Sequence, residues 1–95
     1  MTEMAAFQQR LRSEGFIEGD IKALEAGMVT DVHEHPCDVC GLVLEGEIAL
    51  TIEGTETSYR AGDVFSLAAG CLHAEKIGQA GVRYLIGRRH PCPES

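Results

Sequence analysis

Residues 27–35 read GMVTDVHEH, in which a glycine is followed, after five residues, by the paired histidines His33 and His35. Side chains at positions i and i+2 of a β-strand lie on the same face, so we expect both imidazoles on one side of a sheet. Paired histidines on a strand suit a divalent transition metal such as Zn, Fe, Ni, Mn or Cu. Taken alone, the pair has an alternative explanation as two half-exposed polar residues on an edge strand.

A second segment supplies a third histidine. Residues 62–73 read GDVFSLAAGCLH, which predicts the end of a strand, a tight turn at Ala69-Gly70 and a return of the chain through His73. A third imidazole near the first two would strengthen the prediction of a metal site. The alternative for His73 is a histidine whose ring is satisfied by hydrogen bonds inside the fold.

The remainder of the chain has the turn spacing of an all-β protein. A short helix is expected over residues 4–14, where Phe7 and Leu11 fall on one face and Gly15 follows. Beyond it, turns recur at intervals of about ten residues, which favours a sandwich or barrel over alternating strands and helices. The predicted strands are Phe16–Glu18, Ile21–Ala26, Met28–His35, Val39–Leu44, Ile48–Glu53, Glu56–Arg60, Asp63–Leu67, His73–Ile77 and Val82–Arg88.

Length and charge limit the domain organisation and the partners. We predict a single domain over residues 1–95, with an N-terminal helix in 1–15, a barrel in 16–89 and a surface tail in 90–95. A chain of 95 residues buries a modest share of its surface, which favours a homodimer. The net charge of −7 disfavours nucleic acids and membrane surfaces as partners and leaves a small molecule as the expected ligand.

The N-terminus has neither the basic region nor the apolar run of a secretory signal, and no long apolar segment follows. We therefore predict a cytoplasmic protein whose cysteines, Cys37, Cys40, Cys71 and Cys92, are reduced thiols. Cys37 and Cys40 have CxxC spacing, but strand alternation directs them to opposite faces, which disfavours a zinc knuckle or a redox pair.

The two quoted segments resemble the two sequence motifs of the cupin superfamily. Residues 27–46 are similar to the first motif and residues 62–73 to the second, with fifteen residues between them. This resemblance implies an all-β fold, a double-stranded antiparallel β-barrel or jelly roll, that covers nearly the whole chain. It also implies that His33, His35 and His73 are the ligands of one divalent transition metal near one mouth of the barrel.

The chain departs from the family pattern at the fourth ligand. The first motif usually supplies a glutamate four residues after its second histidine, and this chain has Val39 there. The second motif has Ala68 where proline is usual and Ile77 where asparagine is usual. Loss of the proline is expected to soften the turn that precedes His73 without removing the site.

Glu75 is the candidate replacement and our candidate catalytic residue. It lies two residues after His73, so on a regular strand it shares the inward face and can act as a fourth ligand or as a base beside the metal. The alternative is an exposed strand glutamate. Cys37 and Cys71 are further candidates for this position if their strands are regular, and a thiolate there would favour a softer metal or a redox role. The alternative for both is a small, half-buried cysteine in a loop.

Strand alternation also predicts the pocket beside the metal. It is expected to be small and apolar, with no inward arginine or lysine, which disfavours a bulky polyanionic substrate; Arg83, Arg88 and Arg89 are expected to be surface charges. In one strand register or the other, the predicted lining is Val39, Gly41, Val43, Leu50, Ile52, Phe65 and Ile77.

Two classes of function remain open at this point. Resemblance to cupin dioxygenases with three-histidine sites implies a metal-dependent enzyme, of oxygenase or isomerase type, that acts on a small organic molecule. The missing glutamate instead favours a non-catalytic module that binds a small ligand or a metal, for example as a sensor, or a structural dimeric barrel.

Overall fold

The computed structural model describes residues 2–89, which form one helix and a five-stranded antiparallel sheet. The elements are α1 (Glu3–Ser13), β1 (Ile17–Leu24), β2 (Asp38–Ile52), β3 (Thr55–Arg60), β4 (Val64–Leu67) and β5 (Ala74–Arg89). The strand order is β1-β5-β2-β3, and β4 pairs with β2. The predicted antiparallel all-β fold is confirmed, and a jelly roll fits it, although the strand ladder does not close into a ring. The predicted tail, residues 90–95, lies outside the described residues, and the division of the chain stays a prediction.

The predicted N-terminal helix forms and covers one face of the sheet. Thr2 caps it, because its Oγ1 accepts a hydrogen bond from the Ala5 amide at 3.0 Å. Phe7 and Leu11 are 3% and 1% exposed, and they pack against the sheet residues Cys40, Leu42 and Leu85. Within residues 2–89, no helix is long and apolar enough to span a membrane.

The larger core lies on the opposite face of the sheet, and β2 contributes to it in two phases. Val39 and Val43 face this core in the first half of the strand, as period-2 alternation requires. Ile48 and Leu50 face it in the second half, so the phase changes by one residue. The change occurs at register shifts on either side of Gly46, which are the signature of β-bulges.

Three predicted breaks between strands are instead irregularities within continuous strands. The prediction divided each of β1, β2 and β5 in two, because glycines were interpreted as turns. In β2, Gly46 has φ +79° and bends the chain without ending the strand. A Cβ at Gly46 would collide with the carbonyl group of Gly81, itself at φ +75° in β5. These glycines therefore allow two strands to approach closely, and both strands continue past them.

The predicted strand Met28–His35 is wrong as a continuous strand. The segment touches β5 through isolated bridges, Val29 with Lys76 and His33 with His73. Between the bridges it advances four residues while the opposite chain advances three. One extra residue interrupts a regular strand ladder and changes the direction of the side chains that follow it. Here the extra residue lies between Val29 and His33.

The prediction of reduced thiols is wrong for Cys37, which is disulfide-bonded. Cys40 and Cys71 are free, and Cys40 is buried beneath the helix. As alternation predicted, Cys40 and Val39 lie on opposite faces of β2, since they belong to different core clusters.

Candidate metal centre

Four potential metal-ligating side chains, His33, His35, His73 and Glu75, converge at the edge of the larger core. Each offers one ligand atom, and these atoms all lie within 4.8 Å of one another. The side chain of His73 is fully buried and that of Glu75 is 13% exposed, whereas that of His33 is 35% exposed. The group is therefore closed on the side of His73 and open to solvent on the side of His33.

A direct backbone pair brings two of these histidines together. The amide of His33 donates to the carbonyl oxygen of His73, and the amide of His73 donates to that of His33, both at 2.9 Å. Residues directly opposite each other in an antiparallel pair point to the same face. The two ring centroids accordingly lie 4.3 Å apart, and the ring of His35 lies 5.2 Å from each.

Backbone carbonyl groups orient the same two imidazoles. Nδ1 of His33 lies 2.8 Å from the carbonyl oxygen of Asp31, and Nδ1 of His73 lies 3.0 Å from that of Cys71. A carbonyl oxygen only accepts, so each Nδ1 carries the hydrogen and donates it. In the neutral ring, Nε2 then holds the lone pair that a metal requires. Both Nε2 atoms face the centre of the group.

Glu75 supplies the carboxylate of the group. Its Oε2 lies 3.3 Å from Nε2 of His73 and 3.5 Å from Nε2 of His33. Its backbone amide donates to Oγ1 of Thr30 at 3.0 Å, which fixes this part of β5 against the bridged segment. The expectation that Glu75 shares the inward face of His73 agrees with this geometry, and the alternative of an exposed glutamate does not.

Neither cysteine considered for the fourth position joins the group. Sγ of Cys71 contacts the carbonyl oxygen of the adjacent Leu72 at 3.9 Å, and Cys37 is disulfide-bonded. Among the described residues, the donor set is therefore three imidazole nitrogens and one carboxylate oxygen.

This donor set fits a divalent cation. Two lone pairs on Nε2 and a carboxylate oxygen repel one another at 3.3–3.5 Å unless a positive charge lies among them, either a proton or a metal ion. Burial lowers the pKa of His35, and the neighbouring His73 and His33 lower it further. His35 is thus biased toward the neutral form that binds metals. Nitrogen and oxygen donors of this kind suit Zn and the divalent ions from Mn to Cu.

A cavity of about 200 Å³ adjoins the group. His33, His35 and Glu75 form part of its wall, and Val39 and Phe65 form apolar parts. Val39, which occupies the position of the family glutamate, therefore borders the cavity as predicted. The other predicted lining residues do not border it, because most of them pack into the core or lie beside it; these are Gly41, Val43, Leu50, Ile52 and Ile77.

The prediction that no basic side chain faces the pocket is wrong. Lys22 and Arg88 both line the cavity, as does the buried Tyr84. Lys22 of β1 pairs directly with Tyr84 of β5, so their side chains share a face. Local sequence patterns do not predict this pairing, because it joins residues far apart in the chain.

Asp38 is a further residue that sequence reasoning missed. Its Oδ1 accepts a hydrogen bond from the amide of Ala69 at 2.8 Å, within the turn that leads to His73. The next amide, of Gly70, donates to the carbonyl oxygen of His35 at 2.9 Å. These two bonds hold the turn that has lost the usual proline at Ala68. Hydrogen bonding from Ala69 and the guanidinium of Arg89 lower the pKa of Asp38.

Comparison with solved structures places the fold among known proteins. The cupin domain of Cnp3 from Schizosaccharomyces pombe is 19% identical, with 78% of this chain and 62% of that chain covered and a TM-score of 0.67. The DMSP lyase DddQ from Ruegeria pomeroyi is 22% identical, with 79% of this chain and 39% of that chain covered and a TM-score of 0.69. Oxalate decarboxylase from Bacillus subtilis, studied for its Mn(II) centres, is 20% identical, with 73% and 20% covered and a TM-score of 0.65.

These similarities establish the fold, and the chain spans less than two thirds of the length of each of these three structures. No curated protein sequence matches the chain significantly. A family model described as a cupin domain matches residues 21–85, which include all four side chains of the candidate centre. Because this match covers well over half of the sequence, the chain belongs to the cupin superfamily.

Proposed function

We propose that this cupin holds one divalent transition metal on His33, His35 and His73, with Glu75 as the fourth ligand or as a base beside the metal. The observation that supports it is the convergence of two Nε2 lone pairs on one carboxylate oxygen, while both Nδ1 hydrogens are held by backbone carbonyl groups. Nε2 of His73 also lies within hydrogen-bond distance of Oε2 of Glu75, at 3.3 Å, so a histidine satisfied inside the fold is the alternative to a ligand at this position. A ligand is favoured because Nε2 of His33 is directed at the same carboxylate oxygen.

The charge of the group supports a dication. With neutral imidazoles and an ionised Glu75 the group carries one negative charge, so a 2+ ion leaves a net charge of +1. Zn, Fe, Ni, Mn and Cu all accept such donors, and the choice among them depends on geometry and on the supply of metal in the cell. The ion would act as a Lewis acid toward a small organic molecule in the cavity.

The chain itself would bind, orient and exchange protons with that molecule. The cavity would place a small ligand against His33, His35 and Glu75, with Val39 and Phe65 on its apolar side. The Glu75 carboxylate is 13% exposed and can accept a proton from a bound molecule. We therefore propose a metal-dependent enzyme, of oxygenase-like or isomerase type, acting on a small organic substrate.

The second candidate is a non-catalytic module that binds a metal or a small ligand. The Glu75 carboxylate favours this candidate if it occupies the fourth coordination position, since fewer positions on the metal then remain for a substrate.

We further propose a homodimer, because β1 is an edge of the sheet and exposes Ile17 and Ile21. A cytoplasmic location stays a prediction, which the disulfide at Cys37 does not favour.

Elemental analysis of the purified protein tests the metal centre. We expect about one ion per chain in the wild type, and loss of most of it in His73→Ala and in His35→Ala. His73 is 1% exposed, so His35→Ala, at a more accessible position, separates ligand loss from unfolding when circular dichroism is recorded on both. Glu34→Gln is the matched control, because Glu34 lies between two of the histidines yet is exposed and outside the group. Metal content that is unchanged in both histidine variants would overturn the proposal.

Oxygen consumption tests the oxygenase-like enzyme. The Fe(II)-loaded protein is screened against small thiols and diketones, with His35→Ala as the reference without the centre. Consumption that depends on substrate and on His35 supports the oxygenase-like enzyme. Retention of metal without oxygen consumption excludes that reaction for these substrates and favours the isomerase type or the binding module.

A further inference from the structure

Two basic side chains line the cavity without an acidic partner among the described residues. Arg10, Arg83 and Arg89 each form an ion pair with a carboxylate, but Lys22 and Arg88 form none within residues 2–89. The chain carries fifteen acidic residues against eight lysines and arginines. Arg12, Arg60 and Lys76 also form no ion pair among the described residues, so the lack of a partner does not distinguish Lys22 and Arg88. Their shared position at one cavity does, and it favours a negatively charged ligand there.

The strand register places both cations at the cavity. Lys22 is opposite Tyr84, and Arg88 lies four residues along β5 from Tyr84, so all three share one face. Gly19 leaves room for the side chain of Arg88, because a Cβ atom at Gly19 would lie 3.3 Å from Nη1 of Arg88. The glycine in β1 thus permits the guanidinium to lie along the strand beside the cavity.

The lining is positive once the centre is loaded. Glu75 is the one carboxylate among the described lining residues, and Lys22 and Arg88 outweigh its charge. A divalent ion raises the local charge to about +3 with neutral imidazoles. Clefts lined by one sign of charge concentrate ligands of the opposite sign, and the planar guanidinium matches the geometry of a carboxylate.

We propose that the ligand of this cavity is a small organic anion whose carboxylate is held by Lys22 and Arg88 while a second polar group lies against the metal centre. This inference rests on the proposed metal function and adds the chemical class of the substrate. The cavity of about 200 Å³ is below the range of roughly 300–1,000 Å³ that is typical of ligand pockets, so we expect a compact molecule.

Tyr84 provides an uncharged hydrogen-bond donor in the same cavity. Burial, together with the negative charge of Glu75, raises the pKa of Tyr84 to about 12. The phenol therefore stays protonated at neutral pH and adds no negative charge that would repel an anion. Its ring packs edge-on against Phe65, with centroids 5.4 Å apart, which holds it in place.

The test compares a charged ligand with its neutral isostere on the Zn-loaded protein. The probes are 3-hydroxybutyrate and 3-hydroxybutyramide, titrated while chemical shifts are followed by NMR. We expect the carboxylate to bind about tenfold or more tightly than the amide, and Lys22→Met and Arg88→Gln each to remove about tenfold of that affinity. Lys76→Met and Arg83→Gln are matched controls, since they remove the same charges from exposed positions outside the cavity lining.

The metal content of every variant is measured in parallel, so that failure of the centre is seen separately. Equal binding of the two probes to metal-loaded protein would overturn the inference. It would also be overturned if carboxylate binding is lost in His35→Ala but kept in Lys22→Met and Arg88→Gln, because the carboxylate would then bind the metal alone. If the wild type holds no metal, the titration is repeated on the metal-free protein. Carboxylate binding that depends on Lys22 and Arg88 supports the anion site, and carboxylate binding that does not depend on them overturns it.

Discussion

His33 and His73 are forty residues apart in the sequence, yet their backbones form a reciprocal pair of 2.9 Å hydrogen bonds. The pair is made by the main chain, so backbone hydrogen bonds hold the two imidazoles on one face. Their Nδ1 atoms are oriented by backbone carbonyl groups as well. Main-chain contacts therefore position two of the candidate ligands, and a metal that binds the folded chain would add to its stability.

Replacement of Glu75 tests its place in the centre. Glu75→Gln keeps the shape of the side chain but removes the negative charge that faces Nε2 of His73 at 3.3 Å. We expect metal affinity to fall by roughly 10- to 100-fold, whether Glu75 binds the ion directly or orients a group that does. The measurement is a competition titration with a chelator of known affinity.

Glu34→Gln is the control for this substitution, since it changes the net charge equally at an exposed neighbour of the same histidines. Equal metal affinity in Glu75→Gln and in the wild type would exclude Glu75 from the centre.

The sequence predicts those features of the centre that depend on the alternation of side chains within one strand. His73 immediately precedes β5 and Glu75 is the second residue of that strand, so alternation alone places both side chains on one face. The helix was predictable for the same reason, because Phe7 and Leu11 lie one turn apart. The encounter of His33 with His73 depends instead on pairing between distant segments, which the resemblance to cupins implied and alternation did not.

The errors have the same physical origin. Glycines in β2 and β5 predict turns because glycine is common in turns, but Gly46 and Gly81, both with positive φ, instead allow the two strands to approach closely at bulges. Lys22 and Arg88 were not predicted at the cavity because the register of β1 against β5 is set by long-range contacts.

Asp38 is expected to stabilise the fold in a pH-dependent manner. Its pKa is lowered in the folded chain by the Ala69 amide and by Arg89, so the ionised form stabilises the folded state. That contribution is present above the ordinary pKa of 3.8 and is lost as the pH falls through the lower folded value. Asp38→Asn should therefore lower the Tm at pH 7, and the difference from wild type should shrink below pH 3.8.

Thermal unfolding followed by circular dichroism across this pH range measures the effect. Asp20→Asn is the control, because Asp20 is exposed and no hydrogen bond of its side chain is found within residues 2–89. A Tm difference for Asp38→Asn that is constant with pH would show that the charge of Asp38 is not the stabilising feature.

Leu11 is expected to hold the helix on the sheet. It is 1% exposed and packs with Leu42 and Leu85 on the face remote from the metal centre. Leu11→Ala should reduce the free energy of unfolding by about 2–5 kcal/mol through lost burial and the cavity left behind. Urea unfolding measures this change, and Gln9→Ala on the exposed face should stay within about 0.5 kcal/mol of wild type.

Metal content per folded chain should be unchanged in Leu11→Ala, because the helix and the centre lie on opposite faces of the sheet. A loss of metal in the folded variant would contradict this separation of stability from function.

The edge strand β1 is expected to form the contact of a homodimer. Ile17 and Ile21 are 64% and 44% exposed there, and β1 pairs with β5 alone among the described strands. Unpaired backbone groups beside exposed apolar side chains favour pairing with a second chain. The double substitution Ile17→Glu and Ile21→Glu places like charges across such an interface and should halve the molar mass measured by light scattering after size exclusion. Thr57→Glu on the opposite edge strand β3 is the control, and a dimer that persists in the double variant, or is lost equally in the control, would contradict an interface at β1.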